Sequence, residues 1–123
     1  MTCIQVEPGK LSGKIPAIPS KSDAHRKLVC ASQSNSPSAL LLTGCSKDIQ
    51  ATIQCLITLG AKIEEIESGL RIVPIPKPFN PVKSPLELNC GESGSTLRFI
   101  VPLAATLGGA YSFSGEGRLS QRP

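Results

Sequence analysis

The stretch PSKSDAHR, residues 19–26, places Lys21, His25 and Arg26 and two hydroxyls, Ser20 and Ser22, around one helix-start signal. A helix N-terminus presents free backbone N–H groups and the positive end of the dipole, so it favours an anion. Pro19 holds the entry rigid, and Ser22, or alternatively Ser20, can cap. Lys21, just before the helix, can reach over its mouth. Arg26, one turn further in, offers a planar fork to a phosphate or carboxylate. The same chemistry recurs in NCGESGSTLRF, residues 89–99. Gly91 and Gly94 permit close backbone approach, Ser93, Ser95 and Thr96 offer hydroxyls and a cap, and Arg98 follows in the first turn. No Gly-Lys-Ser/Thr follows these glycines, so this is not a Walker A loop, and Glu92 argues against a bare phosphate directly beside it. A third cationic element, GEGRLSQRP at residues 115–123, spaces Arg118 and Arg122 four apart in a glycine-rich segment.

Each motif alone has a plainer reading: a solvated capped helix, a tight strand-to-helix turn, and a basic tail. Together they are harder to set aside, because each is cationic and lies beside a turn or helix start while the acidic residues lie mostly elsewhere. One or two anionic ligands gathered by all three would account for the placement. His25 could carry a proton, but a lone histidine one turn into a helix is more often a hydrogen-bonded structural residue. Cys3, Cys30, Cys45, Cys55 and Cys90 are odd in number, far apart and without a Cys-x-x-Cys, so free thiols fit better than a disulfide framework or a zinc site.

The elements that must position these residues are short. CIQVEPGKLSGKI alternates around Pro8-Gly9 and reads as two strands. SDAHRKLVCASQS reads as a helix with Ala24, Leu28, Ala31 and, more weakly, Lys27 on one face, ending near Ser34 to Pro37. SALLLTG reads as a buried strand. SKDIQATIQCLITLGA is the clearest helix, capped by Ser46, with Ile49, Ile53, Leu56, Ile57 and Leu59 inward and Gly60 as the stop. KIEEIESGLRIVPI reads as a hairpin turning at Ser68-Gly69. A proline-rich stretch, PIPKPFNPVKSP, then precedes the strand LELN, a helix from STLRF that Pro102 could kink, and the strand AYSFS. The predicted order is β-α-β-α-β-β and then β-α-β, an α/β (α+β) class, with a faint internal echo between residues 20–42 and 93–114.

The 123 residues correspond to one domain or part of a larger one. The core must be aliphatic, because there is no Trp, one Tyr and three Phe. The net charge of +4 suits a small anionic ligand. A nucleic-acid surface is disfavoured by the lack of stacking aromatics and long Lys/Arg runs. The first ten residues lack the apolar run of a signal peptide and no stretch approaches a membrane span, so a soluble cytoplasmic protein is expected.

PSKSDAHR, NCGESGSTLRF and GEGRLSQRP, in that order and spacing, resemble the N-terminal part of the 5-enolpyruvylshikimate-3-phosphate synthase family, over essentially the whole chain. The Ser-Lys-Ser-x-x-x-Arg element and the final Arg-Pro element are specific as a pair. GESGST looks like the variant glycine loop of one branch, where other members carry Asn-Ala-Gly-Thr. The resemblance implies transfer of the enolpyruvyl group of phosphoenolpyruvate to the 5-hydroxyl of shikimate 3-phosphate, with release of phosphate, on the way to chorismate and the aromatic amino acids. It implies no metal and no organic cofactor. It implies two similar lobes, each of three β-α-β-α-β-β units, with the substrates in the cleft between them.

By position, Lys21 would be catalytic and bridge the two anions, and Ser22 and Arg26 would hold shikimate 3-phosphate. Gly94 and Arg122 would line the phosphoenolpyruvate site, where glyphosate also binds. Arg98 would sit at the same loop–helix junction, with Ser95 and Thr96 capping it. On this resemblance residues 1–15 form a strand pair belonging to the other lobe, and residues 16–123 form an incomplete first lobe. The family's acidic proton-transfer residues, an Asp and a Glu, have no match in Asp23, Asp48 or Glu92, so the 123 residues alone are expected to be inactive and to need the second lobe as partner. A sister transferase acting on UDP-N-acetylglucosamine shares the fold but lacks the Ser-Lys-Ser-x-x-x-Arg pattern. A non-catalytic anion-binding fragment is the remaining alternative.

Overall fold

Three serines start the three α-helices. The Ser20 hydroxyl accepts the Asp23 N–H at 3.4 Å, Ser46 accepts the Ile49 N–H at 3.3 Å, and Ser93 accepts the Thr96 N–H at 3.1 Å. Each bond satisfies an amide that the helix itself leaves unpaired. The helices are α1 (Lys21–Gln33), α2 (Lys47–Thr58) and α3 (Gly94–Leu107). Ser20 therefore caps α1 in place of Ser22, because Ser20 holds the extended backbone (φ −69°, ψ 110°) that a cap requires. Lys21 becomes the first helical residue and Ser22 the second. Likewise Ser93, not Ser95 or Thr96, caps α3.

The computed structural model describes residues 2–81 and 84–122. Met1, Val82 and Lys83 of the proline-rich stretch, and Pro123 of the Arg-Pro element lie outside the described residues. Strands β1 (Ser38–Leu41), β2 (Lys62–Ile66) and β3 (Gly69–Val73) form an antiparallel sheet in the order β1-β3-β2. The β2–β3 hairpin pairs Ile66 with Gly69, so its turn is Glu67-Ser68, one residue earlier than the sequence pattern places it. Strands β4 (Leu86–Asn89) and β5 (Tyr111–Ser114) pair in parallel, with α3 as their crossover. A short 3₁₀ turn, Leu119–Gln121, follows.

The α2 stop is the expected one. Gly60 (φ 101°) donates to the Ile57 carbonyl at 2.9 Å and Ala61 to the Leu56 carbonyl at 3.0 Å, which closes the last turn over two orphan carbonyls. A side chain at Gly60 would be strained by that φ and would press on Pro76. The core is aliphatic: Leu28, Ile49, Leu56, Leu59, Ile72, Leu88 and Ile100 are fully buried where the helices meet each other and the strands. On α2 the inward face is Ile49, Thr52, Cys55 and Leu56, while Ile57 stands partly exposed. On α1, His25 is buried where the pattern puts Lys27, which is exposed and paired with Asp23 at 2.7 Å. Helix α3 runs through Pro102 at an exposed position, missing one bond to the Arg98 carbonyl.

The two strands expected in residues 3–15 do not form. Residues 2–18 are exposed and without regular structure, and Ile4, Val6, Leu11, Ile15 and Ile18 stand in solvent. Alternation permits a strand, but a strand needs a neighbour to take its backbone hydrogen bonds, and none of the described residues supplies one. No helix among the described residues is long and apolar enough to cross a membrane.

Candidate anion-binding site

The first turns of all three helices meet. Lys21, first residue of α1, places Nζ 2.7 Å from Oδ2 of Asp48 in the first turn of α2. Thr96, in the first turn of α3, directs its Oγ1 toward the Asp48 carbonyl at 3.2 Å. Three positive dipole ends and their free amides are thereby gathered at one end of the helical layer. Lys21 is 58% exposed there, so its ammonium remains available to a ligand while Asp48 orients it.

The second and third motifs come together beside that junction. Gly94, Ser95, Leu97, Arg98, Leu119 and Arg122 line one cavity of about 190 Å³. Gly94 leaves room for the guanidinium of Arg122, whose Nη1 lies 3.6 Å from where a Gly94 Cβ would stand. GEGRLSQR is thus not a loose basic tail, because Leu119 is buried and fixes the 3₁₀ turn that carries Arg122. The β4–α3 and β5–3₁₀ loops are clasped. The Glu116 N–H donates to the Gly91 carbonyl at 2.8 Å, Asn89 Nδ2 donates to Glu116 Oε1 at 3.4 Å, and the Arg118 N–H donates to Glu92 Oε1 at 3.4 Å. Glu92 therefore accepts from one backbone amide and makes no ion pair with the cavity's arginines among the described residues.

Ser22 and Arg26 are exposed on α1, and Arg26 makes no ion pair among the described residues. Of the six residues singled out from sequence, Gly94, Arg98 and Arg122 share one cavity. Lys21 is linked to them through Asp48 and Thr96, with Ser22 beside it in the same turn. Arg26 lies one turn away. Asp48 and Thr52 were missed. Their only local signal is an acidic first-turn residue and a hydroxyl on an otherwise apolar helix face.

Beneath the junction lies a polar layer. His25 Nδ1 is 2.8 Å from Thr52 Oγ1, which is 2.8 Å from Thr96 Oγ1, and all three side chains are buried. Burial holds the His25 pKa below its ordinary 6.5, with the Lys21 charge adding to that and Asp48 opposing it. Neutral His25 contributes stability that is present above pH 6.5 and is lost as pH falls through its lower folded value. Chemical denaturation should therefore show a falling midpoint below about pH 6.5, and His25→Asn should flatten that limb. Burial, helped by Cys90, pushes Cys55 up to about 12, and burial raises Cys90 as well, so both thiols are protonated and unreactive. No group of three or more His, Cys, Asp or Glu among the described residues could hold a metal ion.

An α/β lobe with capped helix N-termini at one end, and with arginines there that make no ion pair among the described residues, has the form of a binding lobe for small, multiply charged anions. The family profile described as EPSP synthase (3-phosphoshikimate 1-carboxyvinyltransferase) matches residues 6–123, and the chain belongs to this family. It is 44% identical over 124 residues, 98% of the chain, to 3-phosphoshikimate 1-carboxyvinyltransferase of Clostridium beijerinckii, and 44% identical over 123 residues to that of Clostridium kluyveri. The chain spans 28% of the length of each of these curated relatives. The solved structure of EPSP synthase from Acinetobacter baumannii superposes with a TM-score of 0.67 at 23% identity, covering 90% of this chain and 25% of that one. That likeness supports the same α/β fold.

Proposed function

We propose that this chain forms the first-lobe part of an enolpyruvyl transferase site that moves the enolpyruvyl group of phosphoenolpyruvate to the 5-hydroxyl of shikimate 3-phosphate and releases phosphate. The observation that carries the reading is the Lys21–Asp48–Thr96 linkage, which joins the SKSDAHR turn to the glycine loop. Lys21 bridges the two anions and is the catalytic candidate. Ser22 and Arg26 hold shikimate 3-phosphate, and Gly94, Arg98 and Arg122 hold phosphoenolpyruvate. Two polyanions repel each other, and a cleft dense in Lys and Arg offsets that repulsion and orients them. The same cations stabilise charge moving onto the departing phosphate. Proton transfer is assigned to carboxylates of a second lobe, against which residues 2–15, solvent-exposed here, would pair as strands.

The test is a titration of the chain followed by amide chemical shifts. Shikimate 3-phosphate should move Lys21, Ser22 and Arg26, and UDP-N-acetylglucosamine should not. Movement by the UDP-sugar alone would assign the site to the sister transferase, and movement by neither would remove the reading.

A further inference from the structure

Proton accounting favours one direction along the buried polar layer. Each hydroxyl has one proton to give. Thr96 Oγ1 lies within reach of three acceptors, the Asp48 carbonyl at 3.2 Å, Ser93 Oγ at 2.8 Å and Thr52 Oγ1 at 2.8 Å, and a proton given to either of the first two leaves none for Thr52. The arrangement that keeps the bond to the Asp48 carbonyl or to Ser93 has Thr52 donating across the 2.8 Å contact to Thr96 and accepting from His25 Nδ1–H. The reverse direction would put the proton on Nε2, which is buried and has no partner among the described residues. An orphan buried N–H is costlier and rarer than an orphan acceptor. The chain therefore runs from His25 to Thr52 to Thr96 to the first turns of α2 and α3.

Together with the Lys21–Asp48 pair this closes a ring across three helices. Lys21 on α1 meets Asp48 on α2, Asp48 meets Thr96 on α3, Thr96 meets Thr52 on α2, and Thr52 meets His25, one turn along α1 from Lys21. Apart from Lys21, the ring sits beneath the proposed ligand-facing groups, and it contains none of the arginines. Phe99 stacks on the His25 ring, with the ring centroids 6.2 Å apart and the planes 24° from parallel.

We infer that His25, Thr52 and Thr96 are positioning residues that hold Lys21 and the α3 N-terminus in register as one site, with His25 locked as the Nδ1–H tautomer. The inference rests on the proposed function for its ligand, but the ring itself can be tested without one. His25 is the chain's only histidine, so its ring nitrogens give an unambiguous long-range ¹H–¹⁵N spectrum. The expected result for the wild-type chain is the Nδ1–H pattern, and an Nε2–H pattern overturns the inference with no variant needed. Thr52→Val keeps the side-chain shape and removes the hydroxyl. It should abolish the tautomer preference, move the Lys21 amide, and weaken shikimate 3-phosphate about tenfold, the loss expected if the displaced Lys21 gives up one hydrogen bond to the ligand. Thr52→Ser should restore all three. If Thr52→Val leaves the Lys21 amide and the affinity as in wild type, the ring is only structural and the inference fails. If the wild-type chain binds no shikimate 3-phosphate, the proposed function fails by itself, and the Lys21 amide response to Thr52→Val still decides whether the ring positions Lys21. Should Thr52→Val not fold, Thr96→Ser, which retains the hydroxyl, must keep the wild-type tautomer.

Discussion

Lys21→Met should bind shikimate 3-phosphate about ten- to a hundredfold more weakly than the wild-type chain, while its stability changes by less than about 1 kcal/mol. The two effects separate because they draw on different interactions. The Lys21–Asp48 pair is partly solvated, and such pairs contribute roughly 0–1 kcal/mol to folding. A charge-assisted hydrogen bond to a phosphate or carboxylate contributes about 1.5–3 kcal/mol, and every 1.4 kcal/mol is about tenfold in affinity. Removing Lys21 also leaves the Asp48 carboxylate facing the anion with no cation between them. Lys27→Met is the control. Lys27 lies on the same helix, but it is spent on Asp23 at 2.7 Å, so its loss should leave affinity unchanged. Isothermal titration of the three proteins checks the ordering. Repeating it at high salt should narrow the gap between wild type and Lys21→Met, since exposed charges are screened.

What local sequence carries, it carried well in this chain. Ser46, the apolar run from Ile49 and the stop at Gly60 specify α2 because capping, periodicity and termination are all set by residues within a turn of each other. Ser20 and Ser22 both fit a cap, and the pattern does not separate them. The choice is made by which backbone turns extended next to Pro19. The alternation in residues 3–15 misled because pairing is not a local property. The three cationic motifs are legible as candidate anion-binding parts, since helix ends, glycines and arginines suggest that chemistry singly. The connection between them is not. Asp48, Thr52 and Thr96 are separated by up to 48 residues and matter only because α1, α2 and α3 stack with their first turns together. His25 was read as more often structural than catalytic, and its buried bond to Thr52 agrees with that.

Gly117→Ala should cost about 2–3 kcal/mol of stability and weaken phosphoenolpyruvate binding, and Glu92→Ala should restore part of both losses. Gly117 has φ 54°, a conformation that costs an L-residue about 1–2 kcal/mol. A Cβ there would also fall within the Glu92 carboxylate, which is held in place by the Arg118 N–H. Glu92 must then leave, and the clasp between the two loops loses one of its fastenings. The same segment carries Arg122 toward Gly94, so loosening it moves a guanidinium away from the cavity. Backbone strain and steric conflict make different predictions for the double variant. If strain alone were at work, removing the Glu92 side chain would add its own small loss to that of Gly117→Ala. If the conflict with Glu92 matters, the double variant is more stable than Gly117→Ala, and the cycle is non-additive by about 1 kcal/mol. Thermal denaturation of the two single variants and the double variant separates these cases. Full additivity would mean that Glu92 does not hold the loop against Gly117, and that Leu119 and the Glu116 contacts fix Arg122 without it.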